Sequence, residues 1–149
     1  PDYVPPFSNS AMDGFALRVA DQAGRRSLRL VAEIPAGHVL HEELPPGGVA
    51  RIMTGAPLPP GADAVIPVED TVEADGLMST SLRVAPGANV RPIGSDVRRG
   101  QVVLPRGAVL GAAEIGLLAT LAAGGTVMPV RALIAFSCDA QSAHSGGQL

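Results

Sequence analysis

Glycine and proline interrupt this chain so often that few stretches can hold a long regular element: 18 Gly and 14 Pro stand in 149 residues. Each Pro fixes φ and removes a backbone donor, and each Gly lets the chain turn where a side chain would be strained. The density stays below the roughly 25–30% at which such chains become low-complexity. Because 46% of the residues are hydrophobic, there is enough apolar material for a core. A core of this kind is built from short strands joined by turns.

The periodicity agrees. Residues 28–34 place Leu28, Leu30, Ala32 and Ile34 at period two on one face, and Pro35-Ala36-Gly37 stops the run, as expected of a half-buried strand. Residues 49–53 and 64–68 are short β-rich runs on either side of a stiff Pro- and Gly-dense loop. Pro67 predicts an edge strand or a bulge for the second run. Residues 77–84 are expected as a strand, with Asp75-Gly76 before it as a type I′ hairpin signal. Residues 89–110 are expected to run strand, turn, strand, turn, reversing at Arg99-Gly100 and Arg106-Gly107. The period then changes. Residues 112–123 place Ile115, Leu118, Ala119 and Ala122 on one helical face beside Leu117 and Leu121, and Gly124-Gly125 caps the helix. Residues 133–136 resemble a strand buried on both faces, and the twelve residues from Cys138 onward show neither period.

Composition narrows the function classes. All eleven basic residues are Arg, so a Schiff-base lysine, a phosphate-loop lysine and a lipoyl or biotin attachment site are excluded. A net charge of -3 gives no footprint for general nucleic-acid binding. No apolar run approaches the ~20 residues that span a bilayer, so no membrane partner is expected. The lone Cys138 precludes an internal disulfide and suits a reducing cytoplasm. The opening Pro1-Asp2-Tyr3 carries no initiator Met, and the start of the gene product is expected to lie upstream.

Three polar clusters place an acid or a hydroxyl beside Gly or Pro, where a backbone can approach a ligand closely. They are Asn9-Ser10-Ala11-Met12-Asp13-Gly14, Arg51-Ile52-Met53-Thr54-Gly55-Ala56-Pro57, and Asn89-Val90-Arg91-Pro92-Ile93-Gly94-Ser95-Asp96. Taken singly, each has an ordinary reading as a turn or strand end. His38 and His41 with Glu42 and Glu43 are read as a solvated loop, because they lack a full ligand set. Cys138 is read as a strand-end residue rather than a nucleophile.

Taken together the clusters carry a resemblance. PPFSNSAMDGFA (residues 5–16), RIMTGAPLPPGADAVIPVED (residues 51–70) and NVRPIGSDVRRGQVVLPRGAVL (residues 89–110) are similar, in order, to three signatures of the MoeA-type molybdopterin molybdenumtransferases, the family that includes the gephyrin E domain. AAEIGLLATLA continues the similarity, which runs from Pro5 to Phe136.

The resemblance implies a mainly β fold with a small α component. Residues 1–101 would form the family's β domain. Residues 102–130 would be the returning half of its α/β dimerisation domain, with the Leu117, Leu118 and Leu121 face at the dimer contact. Residues 131–149 would be the first strand of a truncated α/β molybdopterin-binding domain and an aberrant tail. The implied activity is insertion of molybdate into adenylylated molybdopterin with release of AMP, in a homodimer that works with the molybdopterin adenylyltransferase of the same pathway. Asp13, Thr54 and Asp96 match catalytic positions, and Arg91 and Ser10 match cofactor-binding ones. Mg²⁺ is the implied cofactor. Its ligands are open, with Asp13 and Asp96 as candidates, because hard cations take oxygen donors. The alternative is a non-catalytic binding or scaffold module of the gephyrin type.

Departures from the family pattern are part of the reading. Phe15 stands where Tyr is usual, and Ser95 stands where Glu is usual beside Asp96. The family's Ser-Thr-Gly-Asp-Glu-Leu loop is replaced after Ser137 by Cys138-Asp139-Ala140-Gln141. The chain alone is therefore expected to be inactive.

Overall fold

The computed structural model describes residues 3–122. In chain order it contains β1 (Asn9–Ser10), β2 (Gly14–Leu17), β3 (Ser27–Ile34), β4 (Gly48–Ile52), β5 (Ala64–Pro67), β6 (Val72–Ala74), β7 (Leu77–Ser79), β8 (Val90–Arg91) and one helix, α1 (Ala112–Ala122). Six strands form one sheet in the order β5-β2-β4-β3-β7-β6, and β1 pairs with β8 in a separate two-stranded ladder. The β3–β4 pair is parallel and the other pairs are antiparallel. The fold is mainly β, as the Gly and Pro punctuation predicts.

The sheet curls because of one short connection. β5 and β6 lie at opposite ends of the strand order, yet only the 3-10 turn Val68–Asp70 and Thr71 separate them in sequence. So short a link draws the two edges toward each other. Arg51 on β4 accordingly reaches Glu73 on β6 at 3.1 Å, although β3 and β7 stand between them in the order. The Arg51 guanidinium also lies 5.6 Å from the centre of the Phe15 ring, within cation–π range.

Both sheet faces are covered. Phe15, Leu17, Leu28, Val49, Ile66 and Met78 form one buried cluster, while Ala16, Ile34, Ala50, Ile52 and Val65 join Leu44 and Ala56 in another. Alternation along β2, β4 and β5 divides neighbouring residues between the two clusters. Each large side chain so buried contributes about 1.5–3 kcal/mol.

β3 departs from the single stripe expected of it. Leu28 and Leu30 pack in the first cluster, whereas Ala32 and Ile34 pack in the second. The cause is a register shift: Leu30 pairs with Val49 and Ala32 with Ala50, so two steps along β3 oppose one along β4. A bulge of this kind leaves one residue unpaired and turns the following ladder. One period-two stripe therefore serves two cores.

Other expectations fare unevenly. β5 is an edge strand, as Pro67 predicts. Asp75 and Gly76 have φ of 52° and 71° and join β6 to β7 with Ala74 opposite Leu77, the two-residue turn that Asp-Gly favours. β7 stops at Ser79, short of the expected residue 84, because buried Gln22 holds the Leu82 carbonyl and the Val84 amide with its side chain.

Of the two strands expected over residues 89–110, the first forms only as the two-residue β8 and the second does not form. Gly100 and Gly107 do turn the chain, with φ of 78° and 87°, but only an isolated bridge, Val97 to Val4, follows β8. No ladder takes up Val102 and Val109, which are 78% and 89% exposed. α1 begins one residue after Gly111, whose amide donates to Glu114 Oε2 at 2.9 Å, one half of a capping box. Ile115, Leu117 and Leu118 are half-buried. No helix among the described residues is long and apolar enough to cross a membrane. The Gly124-Gly125 cap, the strand at 133–136, Cys138 and the tail lie outside the described residues.

Candidate functional site

β1 is two residues long, but it stands between the other two polar clusters. On one side Ser10 N donates to Ala56 O at 3.0 Å and Gly55 N to Ser10 O at 2.9 Å. On the other, Asn9 pairs with Arg91 and Ser10 with Val90, and Ala11 N donates to Asn89 O at 2.9 Å. Ser8 extends the join through its carbonyl to Leu58 N and its hydroxyl to Ile93 N. Three clusters far apart in sequence thus form one rim held by backbone hydrogen bonds.

The antiparallel pairing of β2 with β4 brings Asp13 to Thr54. Gly14 is in register with Ile52, so the residue before β2 and the residues after β4 emerge together at one end of the sheet. Asp13 Oδ1 accepts from both the amide and the hydroxyl of Thr54, each at 2.7 Å. These two bonds hold the Asp13 carboxyl below its usual 3.8, the hydroxyl contributing more than the amide. The carboxylate is exposed and anionic near neutral pH. Gly14 itself cannot carry a side chain: an added Cβ would stand 2.0 Å from the Ile66 carbonyl oxygen on β5.

Arg91 and Asp96 meet by a shorter route. A turn after β8, with Ser95 N donating to Pro92 O, brings Asp96 back so that Arg91 Nη2 donates to its Oδ2 at 2.7 Å. Ser95 Oγ donates to Asp96 Oδ1 at 3.1 Å. Both carboxylate oxygens are therefore engaged, one by a cation and one by the neutral Ser95 hydroxyl. Gly94 enables the turn with φ of 69° and lies under the Tyr3 ring, which a Cβ would meet at 2.6 Å.

Ser10 is completely buried, and its hydroxyl donates to Met12 O at 2.5 Å. It shapes the loop that carries Asp13. Two residues that patterning alone does not single out also build the rim. Asn89 takes φ of 55° and donates its amide to Val65 O at 2.9 Å, tying the third cluster to β5. Asn9 is 5% exposed and its Oδ1 has no partner among the described residues. Asn and Gly inside a polar cluster were the available signal, since Asn tolerates left-handed φ.

Metal chemistry finds little support in this rim. Among the described residues no group of three or more His, Cys, Asp or Glu could hold a metal ion. His38 and His41 are exposed, as a solvated loop requires. Asp96 is neutralised by Arg91, and one Asp13 oxygen already serves Thr54. A hard cation needs several oxygen ligands, and these residues by themselves do not fit one.

The chain and its fold have counterparts among known proteins. Residues 1–122 match the family model of the MoeA N-terminal region, domains I and II. A molybdopterin molybdenumtransferase of Haemophilus influenzae is 44% identical over 122 residues, covering 81% of this chain and 30% of the relative. Molybdopterin molybdenumtransferase 2 of Mycobacterium tuberculosis is 37% identical, covering 98% of this chain and 38% of its own length. The crystal structure of the molybdopterin biosynthesis moeA protein of Pyrococcus horikoshii OT3 superposes with a TM-score of 0.77 at 35% identity, over 81% of this chain and 34% of that one. The chain thus spans about a third of the length of the relatives it matches. With that family model covering most of its length, and with the same fold in a solved relative, the chain belongs to the MoeA N-terminal region family.

Proposed function

We propose that this chain contributes one wall of a molybdenum-insertion site, at which a protein of molybdenum cofactor biosynthesis transfers molybdate into adenylylated molybdopterin and releases AMP. The observation that carries the reading is β1, which joins the Asp13–Thr54 and Arg91–Asp96 pairs into a single rim. The names of the relatives support molybdenum transfer to molybdopterin.

Each rim residue then has a definable task. Arg91 is the anion receptor: Asp96 occupies Nη2 and fixes the plane of the guanidinium, leaving its other N–H groups to meet phosphate or molybdate oxygens. Asp13 is a fixed acceptor, oriented and kept ionised by Thr54, with Oδ2 turned to a donor on the substrate. Ser10 holds the intervening loop. The work is orientation and charge complementarity, while the dithiolene sulfurs of the substrate form the bonds to molybdenum. No step is assigned to Mg²⁺, because the donor set described above does not fit it. The remaining parts of the reading are a homodimer joined through the α1 region, cooperation with the adenylyltransferase, a cytoplasmic setting, and the division at residues 101 and 130.

A chimera tests it. Residues 1–122 are exchanged for the matching region of the Haemophilus influenzae relative, and molybdate insertion is followed by AMP release. The chimera is expected to turn over, Asp13→Asn to reduce turnover at least 100-fold, and the present chain alone to give none. A folded Asp13→Asn chimera with unchanged turnover would sink the assignment.

A further inference from the structure

We propose a second, independent site: a small-anion site, taking a phosphate or similar tetrahedral oxyanion, in a cleft of about 540 Å³ lined by Arg26, Val72, Ser79, Thr80, Ser81 and Arg83. None of these residues belongs to the rim, and the site does not depend on the reading given to Asp13.

The walls are built by specific hydrogen bonds. Ser27 and Ser79 share a hydroxyl contact at 2.9 Å, and Thr80 N donates to Arg26 O at 3.1 Å. Thr80 Oγ1 donates to Asp70 O at 2.8 Å and receives Leu82 N at 3.0 Å. Residues 82–84 are staked to buried Gln22: its side chain takes Leu82 O and Val84 N, and its carbonyl accepts from Arg83 Nη1. Gln22 is 4% exposed, and its grip fixes the backbone on either side of Arg83 together with one nitrogen of the guanidinium.

The lining is left with unmatched donors. Three ion pairs join arginines to acids among the described residues, and neither Arg26 nor Arg83 is in one. Among the described residues the Arg26 guanidinium and Ser81 Oγ have no hydrogen-bond partner, and Arg83 uses one nitrogen on Gln22. Two guanidinium groups and the Ser81 hydroxyl lining one cleft are donor types by which proteins take phosphate oxygens. Size and charge restrict the ligand. Glu69 and Asp70 line the adjoining cavity of about 460 Å³, which shares Val72, Ser79, Thr80 and Ser81 with the first. Two carboxylates so close repel an extended polyanion such as nucleic acid, but leave room for a single phosphate at the arginine end.

The experiment titrates the 149-residue chain with inorganic phosphate and with pyrophosphate at constant ionic strength. It follows the Arg Nε–H signals and the amides of residues 79–81 by NMR. Saturable shifts are expected there. Arg26→Gln should weaken binding at least tenfold, and Arg98→Gln should leave it unchanged. Arg26 makes no side-chain hydrogen bond among the described residues, so its variant keeps the fold even if Arg83→Gln does not. Non-saturating shifts, or an Arg26→Gln variant that binds as the parent does, would overturn the site.

Discussion

The two acid pairs of the rim look alike in their contacts and differ in what makes them. Asp13 and Thr54 are 41 residues apart and meet because β2 and β4 end together. Arg91 and Asp96 are five residues apart and meet because one glycine-bearing turn folds back. The first pair is a product of the sheet; the second is largely local. Disturbing the sheet should therefore uncouple Asp13 from Thr54 while sparing Arg91 and Asp96, and disturbing the turn should do the reverse.

The largest effect is expected from Gly14→Ala. Its Cβ would strike the backbone of β5, which cannot move without parting this edge strand from β2. A loss of about 3 kcal/mol or more is expected, at the upper end of overpacking costs. Urea unfolding measures it, and amide spectra should show Thr54 shifted while residues 91–96 stay near native. A Gly14→Ala protein as stable as the parent would remove the claim that the sheet creates the first pair.

Gly94→Ala should cost less, about 1–2 kcal/mol, the penalty of a left-handed conformation for a residue with Cβ. Tyr3 must also give way, but a side chain near the chain start yields more easily than a strand. Here the Arg91–Asp96 contact should weaken while the Asp13 carboxyl keeps its lowered pKa. Equal disturbance of both pairs would show that the rim is one unit rather than two.

Thr54→Val is the finest probe: the fold should be kept, with only a small loss of stability near neutral pH that vanishes in acid. The Asp13 carboxyl should rise toward its usual 3.8, because both its stabilising bonds come from Thr54 and the hydroxyl gives the larger share. The sign follows from linkage: a carboxyl with a depressed folded pKa stabilises the folded state above its unfolded value, and that contribution disappears as pH falls through the folded value. The parent should lose this small contribution in acid and the variant should show less of it. Carboxyl NMR titration reads it directly, and an unmoved Asp13 in Thr54→Val would assign the shift to another cause.

Much of the molecule was legible without coordinates, for reasons that are local. The Asp75-Gly76 turn is legible because a type I′ turn needs two positive φ values that few residue pairs accept. The edge position of β5 is legible because Pro67 cannot donate to a second neighbour. The three polar clusters stood out because Gly and Pro beside acids are locally unusual. Less legible were the bulge in β3 and the absent strand after Arg91. Val31 gives no sign that the ladder skips at it. Residues 102–110 have strand-like composition but meet no ladder among the described residues, and composition does not report whether a partner strand is at hand.

What the sequence by itself determined, then, is the vocabulary: short strands, where the chain must turn, and which acids and hydroxyls stand where a backbone can be approached. Those follow from φ restrictions and period-two burial, which act within a few residues. The tertiary structure alone decided that one stripe on β3 would fill two cores, that the sheet would curl until Arg51 met Glu73, and that β1 would draw three distant clusters into one rim. Each of these depends on the register between strands remote in sequence. Register is set by how all the strands pack at once, which no single segment encodes.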